Sequence, residues 1–186
     1  MTVKEKSMSE REKIAGAIRT VEDFPQPGIS FYDIGPVLAD AALFESSVRL
    51  MAEPLRGRVS KVVGFDARGF IFGGAMATML GVGFVPLRKA GKLPGAVERV
   101  SYDLEYGANS LEIQKGLLGH EDKVVLVDDV IATGGTVLAG AELVQSEGAT
   151  IVECCALIDI PGLGGGERIR AAGVPVRALV ELGGTA

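Results

Sequence analysis

The polar and apolar positions of the chain fall into blocks of different period. Ile14, Ile18 and Val21 recur at helical spacing behind Ser9 and Glu12, an S-x-x-E capping box, so a helix is predicted over 10–22. Pro25, Pro27 and Gly28 end it. Residues 31–38 read as irregular or short extended structure. A second amphipathic helix is predicted over 41–56, with Leu43, Phe44, Val48, Met51 and Leu55 inward. The rhythm then shortens. Residues 62–65 make an apolar strand, 70–80 a helix and 84–87 another strand. Residues 88–107 are charged and glycine-rich and read as a long loop or hairpin, and Leu111-Glu112-Ile113 alternates like an edge strand. Val124 to Val127 is continuously apolar, as in a strand covered on both faces of a parallel sheet. A helix over 136–147 stops at Gly148. Strands at 151–160 and 174–180 flank a short helix near 167–172. Strand–helix alternation of this kind predicts an α/β fold with a mostly parallel sheet between helices. With no repeat, low-complexity tract or linker, one domain is expected over 1–186, its first residues, 1–8, a loose tail. The glycine-rich run 162–166 reads as a flexible connection with no assigned role.

Composition narrows the function classes. The 186 residues are 47% apolar and 23% charged, with a net charge of −5. That rules out global disorder and leaves no basic footprint for nucleic acid. The uncharged stretch Phe70–Leu87 is broken by Gly73, Gly74, Gly81, Gly83 and Pro86, which favours a buried helix–turn–strand over a membrane span. Cys154 and Cys155 are adjacent, a spacing that suits neither a disulfide framework nor zinc and is compatible with a reducing cytoplasm. A single histidine, His120, excludes a multi-histidine metal site. No secretory signal is expected at the polar start of the chain.

The strongest chemical signal is Val124 to Thr136, VVLVDDVIATGGT. A buried strand is expected to end at Asp128 and Asp129, followed by a small-residue loop and a helix. Ligands of open α/β sheets sit outside the carboxyl ends of strands. The amides of Gly134, Gly135 and Thr136, at a helix start, suit a phosphate, Thr133 and Thr136 can add hydroxyl donors, and Ala132 belongs to the same candidate substrate-binding loop. Two carboxylates suit a vicinal diol, one hydrogen bond from each hydroxyl. Together they describe a ribose 5-phosphate. No Walker lysine and no G-x-G-x-x-G is present.

This segment resembles the signature of the type I phosphoribosyltransferases. Residues 24–34 (FPQPGISFYDI), 66–70 (DARGF), 88–95 (RKAGKLPG), 102–107 (YDLEYG) and 111–114 (LEIQ) narrow the resemblance to the adenine-specific members. It covers about residues 21–160. The resemblance implies a Rossmann-like sheet with a small base-recognition hood at 21–38 and a flexible lid at 88–110. It implies a purine salvage reaction: adenine and phosphoribosyl pyrophosphate give AMP and pyrophosphate, with Mg²⁺ held mainly by substrate and water and no direct protein ligand. It further implies that Asp66, Ala67 and Arg68 receive pyrophosphate, often through a non-proline cis peptide at 66–67. Arg88, Lys89 and Lys92 would serve the same anion, the arginine reaching the partner subunit of a homodimer. Glu105 would handle the proton on the purine N7, under a lid shaped by Tyr106. Main-chain groups of Ser30 would read adenine, with Phe31 and Ile160 against its faces. Many relatives carry a cation where Tyr32 stands, so no charged contact is assigned there. Two other readings stay open: a transferase for a 6-oxopurine, and a non-catalytic sensor of phosphoribosyl pyrophosphate.

Overall fold

The capping box at Ser9 closes as its sequence predicts. The Ser9 hydroxyl accepts from the Glu12 N–H at 3.3 Å, and the Glu12 carboxylate accepts from the Ser9 N–H at 2.6 Å. The helix it starts, α1 (Glu10–Ala17), is shorter than the predicted 10–22. Residues Arg19–Val21 instead form strand β1, antiparallel to β2 (Phe31–Asp33). The reason is tertiary: β-branched Thr20 and Val21 favour an extended chain, and the Arg19 guanidinium meets the Asp33 carboxylate at 2.6 Å. A five-residue helix, α2 (Gly35–Ala39), follows where irregular structure was expected. Asp40 caps α3 (Ala41–Ala52), accepting from the N–H groups of Ala42 and Leu43 at 2.9 and 3.0 Å. The helix stops short of the predicted residue 56, because Pro54 has no N–H to continue it, and Glu53–Leu55 tightens into a 3-10 turn.

The structure, a computed structural model, describes residues 8–104 and 107–183. The chain divides into two compact units, the first ending at Arg49 and the second beginning at Leu50. The second unit is built on a seven-stranded sheet in the order β5-β6-β4-β3-β7-β8-β9. Its strands are β3 (Lys61–Phe65), β4 (Gly83–Lys89), β5 (Val97–Leu104), β6 (Gly107–Gln114), β7 (Lys123–Ile131), β8 (Thr150–Asp159) and β9 (Val176–Glu181). The run from β4 through β3, β7 and β8 to β9 is parallel, and β6 and β5 add to it antiparallel. Helices α4 (Gly69–Leu80), α5 (Gly135–Ser146) and α6 (Gly165–Ala171) connect the strands. Phe65, Leu87, Leu126, Ile131, Val137 and Leu143 are buried in its core. This is the predicted α/β architecture. Among the described residues no helix is long and apolar enough to cross a membrane.

Two local expectations change and one is narrowed. The 111–113 segment belongs to β6, which lies between β4 and β5, so β5 and not β6 forms the edge. Of the two readings of the charged stretch after Arg88, the hairpin is the one observed: β4 runs on to Lys89, and β5 pairs with β6 from Val97↔Gln114 to Leu104↔Gly107. The glycine run 162–166 is no loose connection. Pro161–Leu163 forms a 3-10 turn and Gly165 begins α6, with Gly165 and Gly166 buried.

Candidate active site

The parallel strands diverge where the connections change direction. Strand β3 leads through α4 to β4 on one side, and β7 leads through α5 to β8 on the other. The β3–β7 ladder ends at Gly64↔Val127, and beyond it the chain opens into a crevice. In sheets of this topology that switch point is where ligands bind. A cavity of about 370 Å³ occupies it. Its walls are the turn Asp66–Arg68 after β3, Lys89 of β4, Tyr102 and Leu111 of the hairpin, and the run Asp128–Val137.

Asp128 and Asp129 lie inside β7, which continues to Ile131 rather than ending at the carboxylates. The Asp128 carboxylate accepts from the Asp129 N–H at 2.9 Å. The Asp129 carboxylate, only 5% exposed, pairs with the Arg68 guanidinium at 2.8 Å. Burial, reinforced by the charge of Asp129, pushes the Asp128 carboxyl well above the ordinary carboxylate range. Burial also raises Asp129, and the Arg68 charge offsets part of that rise. The pair is therefore poised to gain from positive charge or hydrogen-bond donors arriving in the cavity.

Two helices start at this cavity. The chain enters α4 through a cis peptide between Asp66 and Ala67. Gly69 then brings the helix against β7: a Cβ there would lie 2.6 Å from the Val127 carbonyl oxygen and 3.0 Å from Asp128 Oδ1. Helix α5 begins after Gly134, whose φ of 81° is left-handed, and no side chain caps it. Its first amides are left for a ligand, and the helix dipole favours an anion there. The Thr136 hydroxyl lies 3.3 Å from the Tyr102 hydroxyl.

Of the residues singled out from sequence, Asp66, Ala67, Arg68, Lys89, Asp128, Asp129, Ala132, Thr133, Gly134, Gly135 and Thr136 meet in this one cavity. Arg88 and Lys92 stand outside its walls. The Arg88 guanidinium donates to the Asp66 carboxylate at 3.1 Å and to the Lys92 carbonyl at 3.3 Å. Ile160 follows β8 and is half-buried, its N–H donating to the Ile131 carbonyl at 3.0 Å. In the first unit the Ser30 hydroxyl donates to the Glu22 carboxylate at 2.6 Å. Phe31 meets Phe24 edge-on with ring centres 5.2 Å apart. Glu105 and Tyr106 lie outside the described residues. Tyr102 was missed from sequence. Its signal was there in the period of two on β5, where Val100 and Tyr102 are covered and Arg99 and Ser101 exposed.

Fold and cavity together define a phosphoribosyl-binding α/β protein, and comparison with known proteins agrees. Residues 39–171 match the phosphoribosyl transferase domain family. The chain is 50% identical to the adenine phosphoribosyltransferase of Maricaulis maris over 173 residues, 92% of this chain and 99% of that one. The crystal structure of the Rhodothermus marinus adenine phosphoribosyltransferase superposes with a TM-score of 0.87 at 45% identity, covering 93% of this chain and 98% of that one. The Saccharomyces cerevisiae enzyme, solved with an imino-altritol bisphosphate and adenine, gives 0.87 at 35% identity, with 92% and 98% covered. The chain belongs to the phosphoribosyltransferases and, within them, to the adenine phosphoribosyltransferase family.

Proposed function

We infer that this protein transfers the 5-phosphoribosyl group from phosphoribosyl pyrophosphate to N9 of adenine, giving AMP and pyrophosphate in purine salvage. One observation carries the reading in this chain: an acidic pair, Asp128 half-buried and Asp129 buried, shares one cavity at the sheet's switch point with an uncapped helix start. The loop 132–136 takes the 5-phosphate on main-chain amides and the hydroxyls of Thr133 and Thr136. Asp128 and Asp129 accept from the ribose hydroxyls. Their negative charge also favours positive charge developing on the sugar as pyrophosphate departs. Asp66, Ala67, Arg68, Lys89 and Lys92 hold the leaving pyrophosphate.

Adenine recognition we assign to the main chain of Ser30 and to apolar contact from Phe31 and from Ile160. A 6-oxopurine reverses the donor and acceptor pattern of adenine at N1 and position 6, so it would leave polar groups unpaired. Glu105 exchanges the N7 proton, and Tyr106 shapes the lid over it. Replacing Glu105 by Ala should reduce turnover by about 10²–10⁴ while AMP still binds. Equal turnover in the two proteins would reject the proton-transfer role.

The carboxylates of Asp128 and Asp129 are hard oxygen donors, the type Mg²⁺ takes. Among the described residues no three His, Cys, Asp or Glu side chains gather to hold an ion. As a pair of hard donors, Asp128 and Asp129 fit an ion that arrives mainly with substrate oxygens and water. Bound there, Mg²⁺ would neutralise charge on the leaving pyrophosphate. We further propose a cytoplasmic homodimer in which Arg88 serves the partner subunit's pyrophosphate region, with sedimentation at working concentration as its test. For the function itself, pyrophosphate release is measured with phosphoribosyl pyrophosphate, Mg²⁺ and each purine in turn. Release with adenine far above that with hypoxanthine or guanine is expected. Equal or preferred use of a 6-oxopurine would overturn the assignment.

A further inference from the structure

The loop that forms the proposed phosphate cradle has a second side, and what backs it is main chain. Gly165, the first residue of α6, donates its N–H to the Ala132 carbonyl at 3.0 Å. A Cβ on Gly165 would lie 2.1 Å from that carbonyl oxygen and 2.7 Å from the Gly134 nitrogen. Conversely, a Cβ on Gly134 would lie 2.9 Å from the Gly165 carbonyl oxygen and 3.2 Å from Ile169 Cγ1. Two stretches of backbone therefore touch with no side chain between them, and Ile169, fully buried on α6, fills the space behind.

The contact also sets a direction. The cis peptides of the described chain are at Phe24–Pro25 and Asp66–Ala67, so the 132–133 peptide is trans. In a planar trans peptide the C=O and the following N–H point in opposite directions. The Gly165 N–H holds the Ala132 carbonyl toward α6, so the Thr133 N–H must point away from α6. Thr133 lines the cavity.

We propose that Gly165, with Ile169 behind it, is a positioning element for the phosphate-binding loop: it turns the 132–133 peptide so that the Thr133 amide faces the 5-phosphate. The proposal rests on the reading of residues 132–136 as the phosphate cradle. It gives the glycine run at 164–166 a task. The loop can keep its left-handed turn at Gly134 only if its neighbour presents bare backbone there. In Gly165→Ala the new methyl would force the loop to shift by roughly 1 Å, a displacement on the scale that costs about 10²-fold in a positioned site.

The test compares AMP with adenosine, which lacks only the phosphate. Their dissociation constants are measured by calorimetry for wild type, Gly165→Ala, Ile169→Val and Thr136→Val, with a melting curve for each. Gly165→Ala should shrink the ratio of AMP to adenosine affinity by about 10–100-fold. General damage to the fold would weaken both ligands alike and leave the ratio intact. Ile169→Val should shrink it less, and it carries the test alone if Gly165→Ala does not fold. Thr136→Val removes a hydroxyl from the cradle itself. A ratio lowered by Thr136→Val but untouched by the folded Gly165→Ala, or by Ile169→Val in its place, overturns the positioning role alone. A ratio untouched by all three overturns the phosphate assignment and this inference with it.

Discussion

At the scale of single residues the site is a compromise between holding a charge pair and using it. Asp128 sits beside Asp129, and burial followed by that neighbour's charge raises its carboxyl well above the ordinary range. A carboxyl whose folded pKa is raised binds its proton more tightly in the folded chain than in the unfolded one. The stability this confers is fully present below the ordinary carboxylate range and is lost as pH rises through the raised pKa. Asp128→Asn keeps an oxygen to accept from the Asp129 N–H but has no such loss. Its melting temperature should therefore exceed that of wild type at pH 8, by roughly 2–4 °C for each 1 kcal/mol relieved. The gap should close as pH falls toward 4. A variant that melts below wild type at pH 8, or a gap that does not change with pH, would show that repulsion and burial at the pair do not govern stability there.

At the scale of elements, the hairpin β5–β6 is tied to the turn after β4 by one buried carboxylate. Glu112 of β6 is 1% exposed and sits opposite Arg88 of β4 and Arg99 of β5. It accepts from the Gly91 N–H at 2.8 Å and from Arg99 Nε at 2.9 Å. Burial raises its carboxyl, but the Gly91 N–H and the Arg99 guanidinium outweigh that and leave it below the ordinary range. Its contribution is thus present above that range and is lost as pH falls through the lowered pKa. Glu112→Gln keeps an acceptor for Gly91 and removes the charge facing Arg99. The variant should melt lower than wild type at pH 7, and the two curves should converge in acid. A melting difference that persists undiminished at low pH would mean that the charge is not what holds the hairpin. Such ties explain what the sequence left unread. The apolar run of β7 and the small-residue loop before α5 are local patterns and were legible as they stood. The shortening of α1 was not, because β1 pairs with a strand ten to fourteen residues further on. Glu112 read only as one member of an alternating strand, since its partners come from two other segments.

At the scale of the whole molecule, the same contrast sorts the site. Lys89 of β4 apart, the cavity residues legible from sequence are those carried by one continuous strand–loop–helix, from Asp128 to Thr136, and by the turn after β3. The residues missed, Tyr102 and Gly165, act through the packing of distant segments: a hydroxyl facing Thr136, and a bare backbone against Ala132. The cavity joins the β3 side of the sheet to the β7 side just where their ladder ends. A ligand bound there and not by the unfolded chain stabilises the folded chain by mass action. At 100 times its dissociation constant AMP adds about 2.7 kcal/mol, or roughly 5–11 °C in melting temperature for a chain of this size. Asp128→Asn, stabler when empty, loses an acceptor on the side chain we propose for the ribose and should gain much less. The order of melting should therefore invert, with the variant above wild type in buffer and below it in saturating AMP. This inversion separates a carboxylate kept for binding from one kept for folding, a trade expected where an active site works against stability. An order that stays the same in both conditions would place the ligand's grip somewhere other than the acidic pair.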